Sequence, residues 1–201
     1  MISAPEPVPP LPYAVLVSGA PGTGKSTLAA ALARRLGAAV LDLDVATGPL
    51  TEVVSALIGR ADLSDPRIAE LTRGPRYDTL LALARDNLRA GRPVVLVAPF
   101  TAEQSAPGWA AVAGRLADHC AAIVLVWLHL PADELAARLR RRGAARDAGK
   151  LRDPAAFLAT VRRDPPDVPH LALDATRPVA ELVDHVAERL AHRGLAIDGR
   201  A

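Results

Sequence analysis

One stretch near the start of the chain has the residue types and spacing of a phosphate-binding loop. Residues 19–27 read GAPGTGKST, which fits the pattern G-x-x-x-x-G-K-[ST]. Glycines let successive backbone N–H groups turn inward onto an anion, and a helix that starts at the lysine adds the positive end of its dipole. We therefore expect a nucleoside triphosphate to contact Gly22, Thr23, Gly24, Lys25, Ser26 and Thr27.

The flanking residues support this interpretation over a chance glycine-rich turn. Residues 13–18 form a short apolar run typical of a buried strand, and residues 25–36 are rich in Ala and Leu with no Pro or Gly, which predicts a helix. In that setting Lys25 is expected to reach the β- and γ-phosphates and assist catalysis, and the Ser26 hydroxyl to ligate Mg²⁺.

Two aspartates follow at the end of the next predicted strand, residues 38–43. Side chains two apart on a strand face the same side, so Asp42 and Asp44 are expected to point together at the phosphate loop. Asp42 would then hold a Mg²⁺-bound water, and Asp44 would accept the proton of an attacking hydroxyl as the catalytic base. The alternative for both is an ordinary turn or helix-capping aspartate.

The third predicted strand, residues 93–98, lacks the acidic residue of a Walker B motif. It ends in VLVA, and the first acidic residue downstream is Glu103. An AAA motor or an ABC-type ATPase therefore fits poorly, and a Ras-like GTPase is disfavoured because no [NT]-K-x-D motif occurs.

A basic segment follows the fourth predicted strand, residues 123–128. Arg138 and Arg142 are four apart and share a face of the helix predicted for residues 131–142; Arg141 lies beside them and Arg146 lies beyond Gly143. Phosphoryl transfer needs cations around the transferred group, so Arg138 and Arg142 are candidate catalytic residues. Arg138, Arg142 and Arg146 are candidate nucleotide ligands. The alternative is a solvated charged helix.

The elements that position these residues alternate along the chain. A fifth strand is predicted at 171–174 and further helices at 77–90, 107–119 and 179–192. The spacing of Leu50, Val53, Val54, Leu57 and Ile58 predicts an amphipathic helix that ends at Gly59. Such alternation indicates an α/β fold with a five-stranded, mainly parallel sheet and right-handed crossovers.

We expect one domain at residues 13–192, with a Pro-rich tail at 1–12 and a C-terminal tail at 193–201. Residues 48–77 are assigned to acceptor binding and 138–152 to a lid. The polar stretches 60–76 and 143–152 are expected to be mobile without ligand.

Composition narrows the classes of partner. The formal net charge is only +2, which predicts neither nucleic-acid nor membrane binding. No apolar run reaches the roughly 18 residues of a membrane span. The single cysteine, Cys120, excludes an internal disulfide and suits the cytoplasm. A monomer or a homodimer is expected.

The chain resembles small P-loop kinases such as chloramphenicol phosphotransferase, gluconate and shikimate kinases and the zeta toxins, whose relatives are often labelled AAA-family ATPases. The resemblance rests on the loop at 19–27, the Asp42-x-Asp44 pair, the basic segment 138–150 and the stretch 174–178. It implies a three-layer P-loop NTPase fold of nucleoside-kinase type, with ATP (GTP being possible) and Mg²⁺ as cofactors. It also implies that Asp44 is the base and that Thr176, in the last loop, borders the adenine.

The acceptor would be a small molecule with a hydroxyl group. Candidate pocket residues come from 48–77 and from the loop after the third strand: Arg73, Arg76, Tyr77, Phe100 and Glu103. Trp109, Trp127 and Cys120 are interpreted as core residues, and His129 as a core or capping histidine. Two other functions stay open: a nucleotide-binding switch or weak ATPase that acts on a protein partner, and a toxin or resistance enzyme with kinase chemistry.

Overall fold

The computed structural model describes residues 11–59, 65–142 and 164–198. Five strands are present: β1 (Tyr13–Gly19), β2 (Ala39–Asp42), β3 (Val94–Val97), β4 (Ala122–His129) and β5 (Leu171–Asp174). The helices are α1 (Lys25–Leu36), α2 (Leu43–Leu57), α3 (Pro66–Arg89), α4 (Ala106–Leu116), α5 (Ala132–Arg142) and α6 (Val179–Asp198), with a 3-10 turn at Ala117–His119.

The five strands form one sheet in the order β2-β3-β1-β4-β5, and every pair is parallel. Two apolar cores cover its faces. One core joins Val15 and Val17 of β1 to α1, α5 and α6, and the other joins Ala14 and Leu16 to α3 and α4. This is the predicted three-layer α/β fold with a five-stranded parallel sheet. Strand β1 ends between β3 and β4, and the connections of these two neighbours run to opposite sides of it. Ligands bind at such a point in open parallel sheets.

The phosphate loop needs glycine at defined positions. A Cβ on Gly19 would lie 2.3 Å from the carbonyl oxygen of Leu128, on the neighbouring strand β4. Gly24, directly before α1, has φ +100°, a conformation that residues with side chains rarely adopt. The sheet and the loop therefore meet at a distance that only glycine permits.

The second strand is shorter than predicted, and the helix after it begins earlier. Asp42 ends β2 and is the N-cap of α2, because its Oδ1 accepts a hydrogen bond of 2.9 Å from the Asp44 backbone N–H. The predicted strand residue Leu43 is thus the first residue of α2, and the strand-alternation argument for Asp44 was wrong.

The predicted amphipathic helix at α2 exists, but its apolar side faces outward. Its buried residues are Leu43, Thr47, Thr51 and Ser55, whereas Leu50 is 69% exposed and Leu57 81% exposed. Thr51 donates its hydroxyl hydrogen bond to the Thr47 carbonyl in the same helix, at 2.8 Å. Hydroxyls satisfied in this way can be buried at little cost.

Residues 66–76, part of the stretch 60–76 that is predicted to be mobile without ligand, form the first turns of α3; their mobility stays a prediction. Asp65 caps that helix by accepting a hydrogen bond from Arg67 N–H at 2.9 Å, and Pro66 follows as its first residue. Ile68 is buried and anchors this segment. Residues 60–64 lie outside the described residues.

Several predictions fall wholly or partly outside the described residues. Residues 1–10 of the predicted N-terminal tail are outside them, and so is the part of the predicted lid that follows Arg142, which includes Arg146. The side chain of Arg142 is likewise not described. At the other end, α6 runs to Asp198, past the end predicted at His192, so residues 193–198 are helical. In the part of the chain that the structure describes, no helix is long and apolar enough to cross a membrane.

Candidate active site

A cleft of about 370 Å³ lies at the carboxyl edge of the sheet, where the phosphate loop meets the start of α2. It is lined by residues of the loop, α1, α2 and the end of β3: Pro21, Gly22, Gly24, Lys25, Ser26, Thr27, Asp42, Leu43, Asp44, Val97, Ala98 and Pro99. Five of the six loop residues predicted to contact nucleotide line this space. Thr23 does not; it is buried and its hydroxyl donates to the Ala20 carbonyl at 2.9 Å.

Lys25 lies at the first position of α1, with its ammonium folded over the loop. Its Nζ donates to the carbonyl oxygens of Gly19 and Ala20, at 2.9 and 3.0 Å. The first turn of α1 carries no acidic side chain and its N-cap makes no side-chain hydrogen bond. The N-terminus of α1 and the lysine therefore both direct positive charge at the cleft.

Ser26 and Asp42 form the candidate metal-binding pair. The Ser26 hydroxyl donates to Asp42 Oδ2 at 3.0 Å, which joins the start of α1 to the end of β2. Oxygen ligands of this kind, one hydroxyl and one carboxylate, fit a Mg²⁺ ion that keeps several waters and takes its remaining ligands from nucleotide phosphates. No cluster of three or more His, Cys, Asp or Glu side chains suited to a metal occurs among the described residues.

Asp44 lines the same cleft, at the second position of α2. Its Oδ1 accepts from Arg76 Nη2 at 2.7 Å, and Arg76 Nε donates to the Thr47 hydroxyl at 2.8 Å. The guanidinium thus connects α3 to two residues one helical turn apart on α2. Arg76 was predicted only as a candidate residue of the acceptor pocket; its pair with Asp44 carries no signal in the sequence, because the two residues are 32 positions apart.

A smaller pocket of about 190 Å³ adjoins the cleft. It is lined by residues of α2, α3 and the loop after β3: Leu43, Ala69, Arg73, Arg76, Tyr77, Pro99 and Thr101. Leu43 and Pro99 line both spaces. The pair of Arg76 and Asp44 therefore lies where the two spaces meet, and three of the five predicted acceptor residues line the smaller one.

The other two predicted acceptor residues support this pocket. Glu103 is buried and accepts from Arg73 Nη2 at 3.0 and 3.1 Å, and the Arg73 guanidinium lies over the Tyr77 ring at 4.5 Å. The Tyr77 hydroxyl accepts from the backbone N–H of Phe100, which has a φ of +49°. Burial, with the nearby Glu103 carboxylate, raises the pKa of Tyr77 to about 12.

A hydrogen-bonded group that the sequence analysis missed fastens the loop after β3 to the end of β1. Ser18 is fully buried; its hydroxyl donates to the Pro99 carbonyl at 2.9 Å and accepts from Gln104 Nε2 at 2.7 Å. A polar residue at the end of an apolar strand was the only available signal. The contact holds Pro99 at the wall that the cleft and the smaller pocket share.

Arg138 lies between the phosphate loop and the loop after β5. Its Nη2 donates to the Ala175 carbonyl at 2.7 Å, and its Nη1 lies 3.4 Å from the Thr23 carbonyl. Arg141 is exposed on the same helix. The structure thus places Arg138 beside the phosphate loop.

Thr176 also lies in that last loop, close to Arg138. Its backbone N–H and its hydroxyl both donate to Asp174 Oδ1, at 2.9 and 2.8 Å, and these bonds lower the pKa of Asp174. Its predicted contact with the adenine stays a prediction.

The remaining singled-out residues are packed in or near the cores. Cys120 is buried, as predicted, and burial raises its pKa to about 11. Trp109 is half-buried against the core that contains α3 and α4. Trp127 is also only half-buried, and it stacks on His129 with ring centroids 4.9 Å apart.

Residues 15–166 match the model of the family described as "AAA domain". The chain belongs to this family. The match spans the phosphate loop, the Asp42–Asp44 segment and the residues that line the smaller pocket. None of the curated protein sequences matches this AAA-domain chain.

Solved structures similar to the AAA-domain chain include several kinases. A gluconokinase from Sinorhizobium meliloti is 21% identical, with a TM-score of 0.61 over 96% of this chain and 100% of its own. An APS kinase from Mycobacterium tuberculosis, solved with AMPPNP and APS, is 22% identical, with a TM-score of 0.62 over 91% and 99%. A sugar kinase from Janibacter is 19% identical, with a TM-score of 0.60 over 90% and 95%. The predicted P-loop, kinase-like fold is confirmed.

Proposed function

We propose that this protein is an ATP- and Mg²⁺-dependent kinase that transfers the γ-phosphate to a hydroxyl group of a small molecule. The observation that carries the proposal is that the phosphate-loop cleft and the smaller pocket adjoin each other. The phosphate-loop cleft and the smaller pocket share Leu43 and Pro99, and the Asp44 carboxylate lies at their boundary. A hydroxyl bound in the smaller pocket would meet the carboxylate and the end of a triphosphate together.

The residues of this chain divide the work in that arrangement. Lys25 and the N-terminus of α1 neutralise phosphate oxygens, and Ser26 with Asp42 would hold Mg²⁺, which screens the phosphate charge and orients the triphosphate. Asp44 orients the acceptor hydroxyl and takes its proton. Arg138 lies close enough to the loop to contact phosphates, and Arg142 and Arg146 are proposed to contribute further charge during transfer.

The smaller pocket suits a compact acceptor. Its volume of about 190 Å³ lies below the roughly 300 Å³ at which pockets for drug-sized ligands begin. Two guanidinium groups and the Thr101 residue supply its polar lining, and Leu43, Pro99 and the Tyr77 ring supply its apolar lining. The kinase titles of the similar structures support the same class of reaction, and the AMPPNP in one of them supports ATP as donor.

The nucleotide switch remains the second candidate, since the AAA-domain family assignment names no acceptor. Incubation with ATP and Mg²⁺ in the presence of a panel of small hydroxylated compounds separates the two. The kinase predicts ADP release that depends on one class of acceptor and a phosphorylated product in equal amount. ADP release that no acceptor stimulates, in a protein that binds ATP, would favour the switch.

A further inference from the structure

The outward side of α2 is an apolar stripe that stays exposed in residues 11–59, 65–142 and 164–198, the part of the chain that the structure describes. Ala46, Leu50, Val53 and Leu57 recur at spacings of four, three and four residues, which places them on one face of the helix. Leu50, Val53 and Leu57 are 69, 55 and 81% exposed. We refer to these four residues as the α2 stripe.

Specific contacts on the inward side of α2 hold the helix in the rotation that leaves the stripe exposed. Thr47 and Thr51 are buried there with their hydroxyls bonded to carbonyls of their own helix, and Thr47 also accepts from Arg76. Rotation of α2 to bury the stripe would break these contacts and carry Asp44 away from the cleft. The packing of α2 therefore keeps the stripe exposed in the part of the chain that the structure describes.

We propose that the α2 stripe binds the same stripe of a second copy of this chain across a two-fold axis. In a two-fold contact the same patch must be complementary to itself. When two such helices cross antiparallel, Leu57 of each copy meets Ala46 of the other, and Leu50 meets Val53. Each large side chain then faces a smaller one, as ridges-into-grooves packing requires.

Charge favours the same arrangement. Between Val45 and Ile58, Glu52 is the only charged residue, and it lies on the flank of the helix, about 130° from the centre of the stripe. Two copies can therefore approach without burying a charge or opposing like charges. A partner with an acidic or basic docking surface would find no complementary charge on this face.

The exposed area suits a dimer of ordinary size. Leu71 of α3 is 57% exposed and lies beside α2, where it lines an apolar groove of about 150 Å³ together with Leu50 and Val54. With Leu71 the stripe exposes roughly 450 Å² of apolar side chain, in the middle of the range of about 300–600 Å² for the largest apolar patch on a typical monomer. A standard interface buries about 800 Å² per partner, somewhat more than half of it apolar, so the patch supplies about the required apolar share.

Sedimentation velocity of the full chain, over a concentration series from low to high micromolar, tests the proposal. We expect the wild type to approach twice the mass of the 21.0 kDa chain. Leu50→Glu and Leu57→Glu each place a charge in the stripe at an exposed helical position and should shift the protein to the monomer with unchanged circular dichroism. Leu11→Glu, at a 53% exposed leucine before β1, is the matched control and should stay dimeric.

A second measurement is independent of any loss of association. Cys120 is buried, so it gives little background when cysteines are introduced elsewhere. A Leu50→Cys/Val53→Cys double variant should form an intermolecular disulfide under mild oxidation, whereas Leu11→Cys should not. A wild type that sediments as a monomer throughout, a Leu50→Glu variant as dimeric as the wild type, or equal dissociation of Leu11→Glu would each overturn the proposal.

Discussion

Arg76 and Asp44 form an ion pair of 2.7 Å between Nη2 and Oδ1 at the boundary between the phosphate-loop cleft and the smaller pocket. The arginine is one-quarter exposed at its side chain and the aspartate two-thirds. An ion pair this open contributes little to stability. Its value in the proposed kinase is to hold the carboxylate in the direction from which a hydroxyl would approach.

Replacement of Asp44 by asparagine should separate nucleotide binding from phosphate transfer. The amide is nearly isosteric, and the phosphate contacts expected of the loop and Lys25 lie elsewhere, so ATP affinity should be unchanged. Transfer should fall by roughly 10² or more, the usual contribution of a positioned general base. Calorimetric titration with ATP·Mg²⁺ and a coupled assay of ADP release give the two quantities. An Asp44→Asn variant that transfers phosphate at the wild-type rate would favour the nucleotide switch.

Arg76 should act through Asp44 as a positioning residue. Arg76→Ala should lower kcat about tenfold, or about 1.4 kcal/mol, and should add little to the loss already caused by Asp44→Asn, because residues that work as a unit are not additive. Arg76→Lys should recover part of the activity. Arg115→Ala is the control. It breaks a 2.6 Å ion pair between Arg115 on α4 and Asp78, which lies on α3 as Arg76 does. Fully additive losses in the double variant would show that Arg76 acts independently of Asp44.

Loss of Lys25 should remove most nucleotide affinity or turnover while the fold stays intact. The ammonium is the charge nearest the loop carbonyls of Gly19 and Ala20, where β- and γ-phosphate oxygens would be received. Titration of Lys25→Ala with ATP·Mg²⁺ tests this, with Arg34→Ala, an exposed cation near the other end of α1, as the control. Wild-type affinity together with wild-type turnover in Lys25→Ala would contradict the prediction.

Arg138 and Arg141 should differ although both lie on α5. Arg138 contacts the Ala175 carbonyl and lies near that of Thr23, so its removal loosens two loops around the expected nucleotide. Arg138→Ala should weaken AMPPNP binding about tenfold, as expected for the loss of a charge-assisted contact. The exposed Arg141 makes a matched control, and Arg141→Ala should bind as the wild type does. Equal AMPPNP affinities in the two variants would show that Arg138 does not contribute to nucleotide binding.

Tyr77 should make the fold sensitive to alkaline pH. Its pKa is raised from 10.0 to about 12 in the folded protein, mainly by burial, so its contribution is complete below pH 10. Stability should then fall by roughly 2–3 kcal/mol as pH rises from about 10 to about 12. Urea unfolding of the wild type and of Tyr77→Phe across this range tests the sign. Tyr77→Phe should lack the part of the fall in the free energy of unfolding that comes from Tyr77. Any part that comes from the buried Cys120 is the same in both proteins.

The same substitution has a cost at neutral pH. Without the hydroxyl, the buried N–H of Phe100 loses its acceptor, which should destabilise the variant by about 1–3 kcal/mol. Equal stability of the two proteins at neutral pH would show that another group accepts this hydrogen bond.

The phosphate loop was predictable because its conformation is encoded in adjacent residues. A strand, a glycine turn and a helix follow one another without interruption from Tyr13 to Leu36, so local conformation alone brings the backbone N–H groups together. The alternation of strands and helices determined the parallel sheet in the same way, since short connections leave few topologies. These features need no knowledge of which distant residues touch.

The tertiary structure decided how α2 is turned and what Asp44 contacts. Periodicity identifies an apolar face but not its direction; here Asp42 caps the helix, and Arg76 on α3 binds Asp44 and Thr47. These contacts turn the hydroxyl face inward and leave Leu50 and Leu57 exposed. Contacts between residues some thirty positions apart depend on how two helices pack, and that packing is settled by the whole core rather than by any one stretch of sequence.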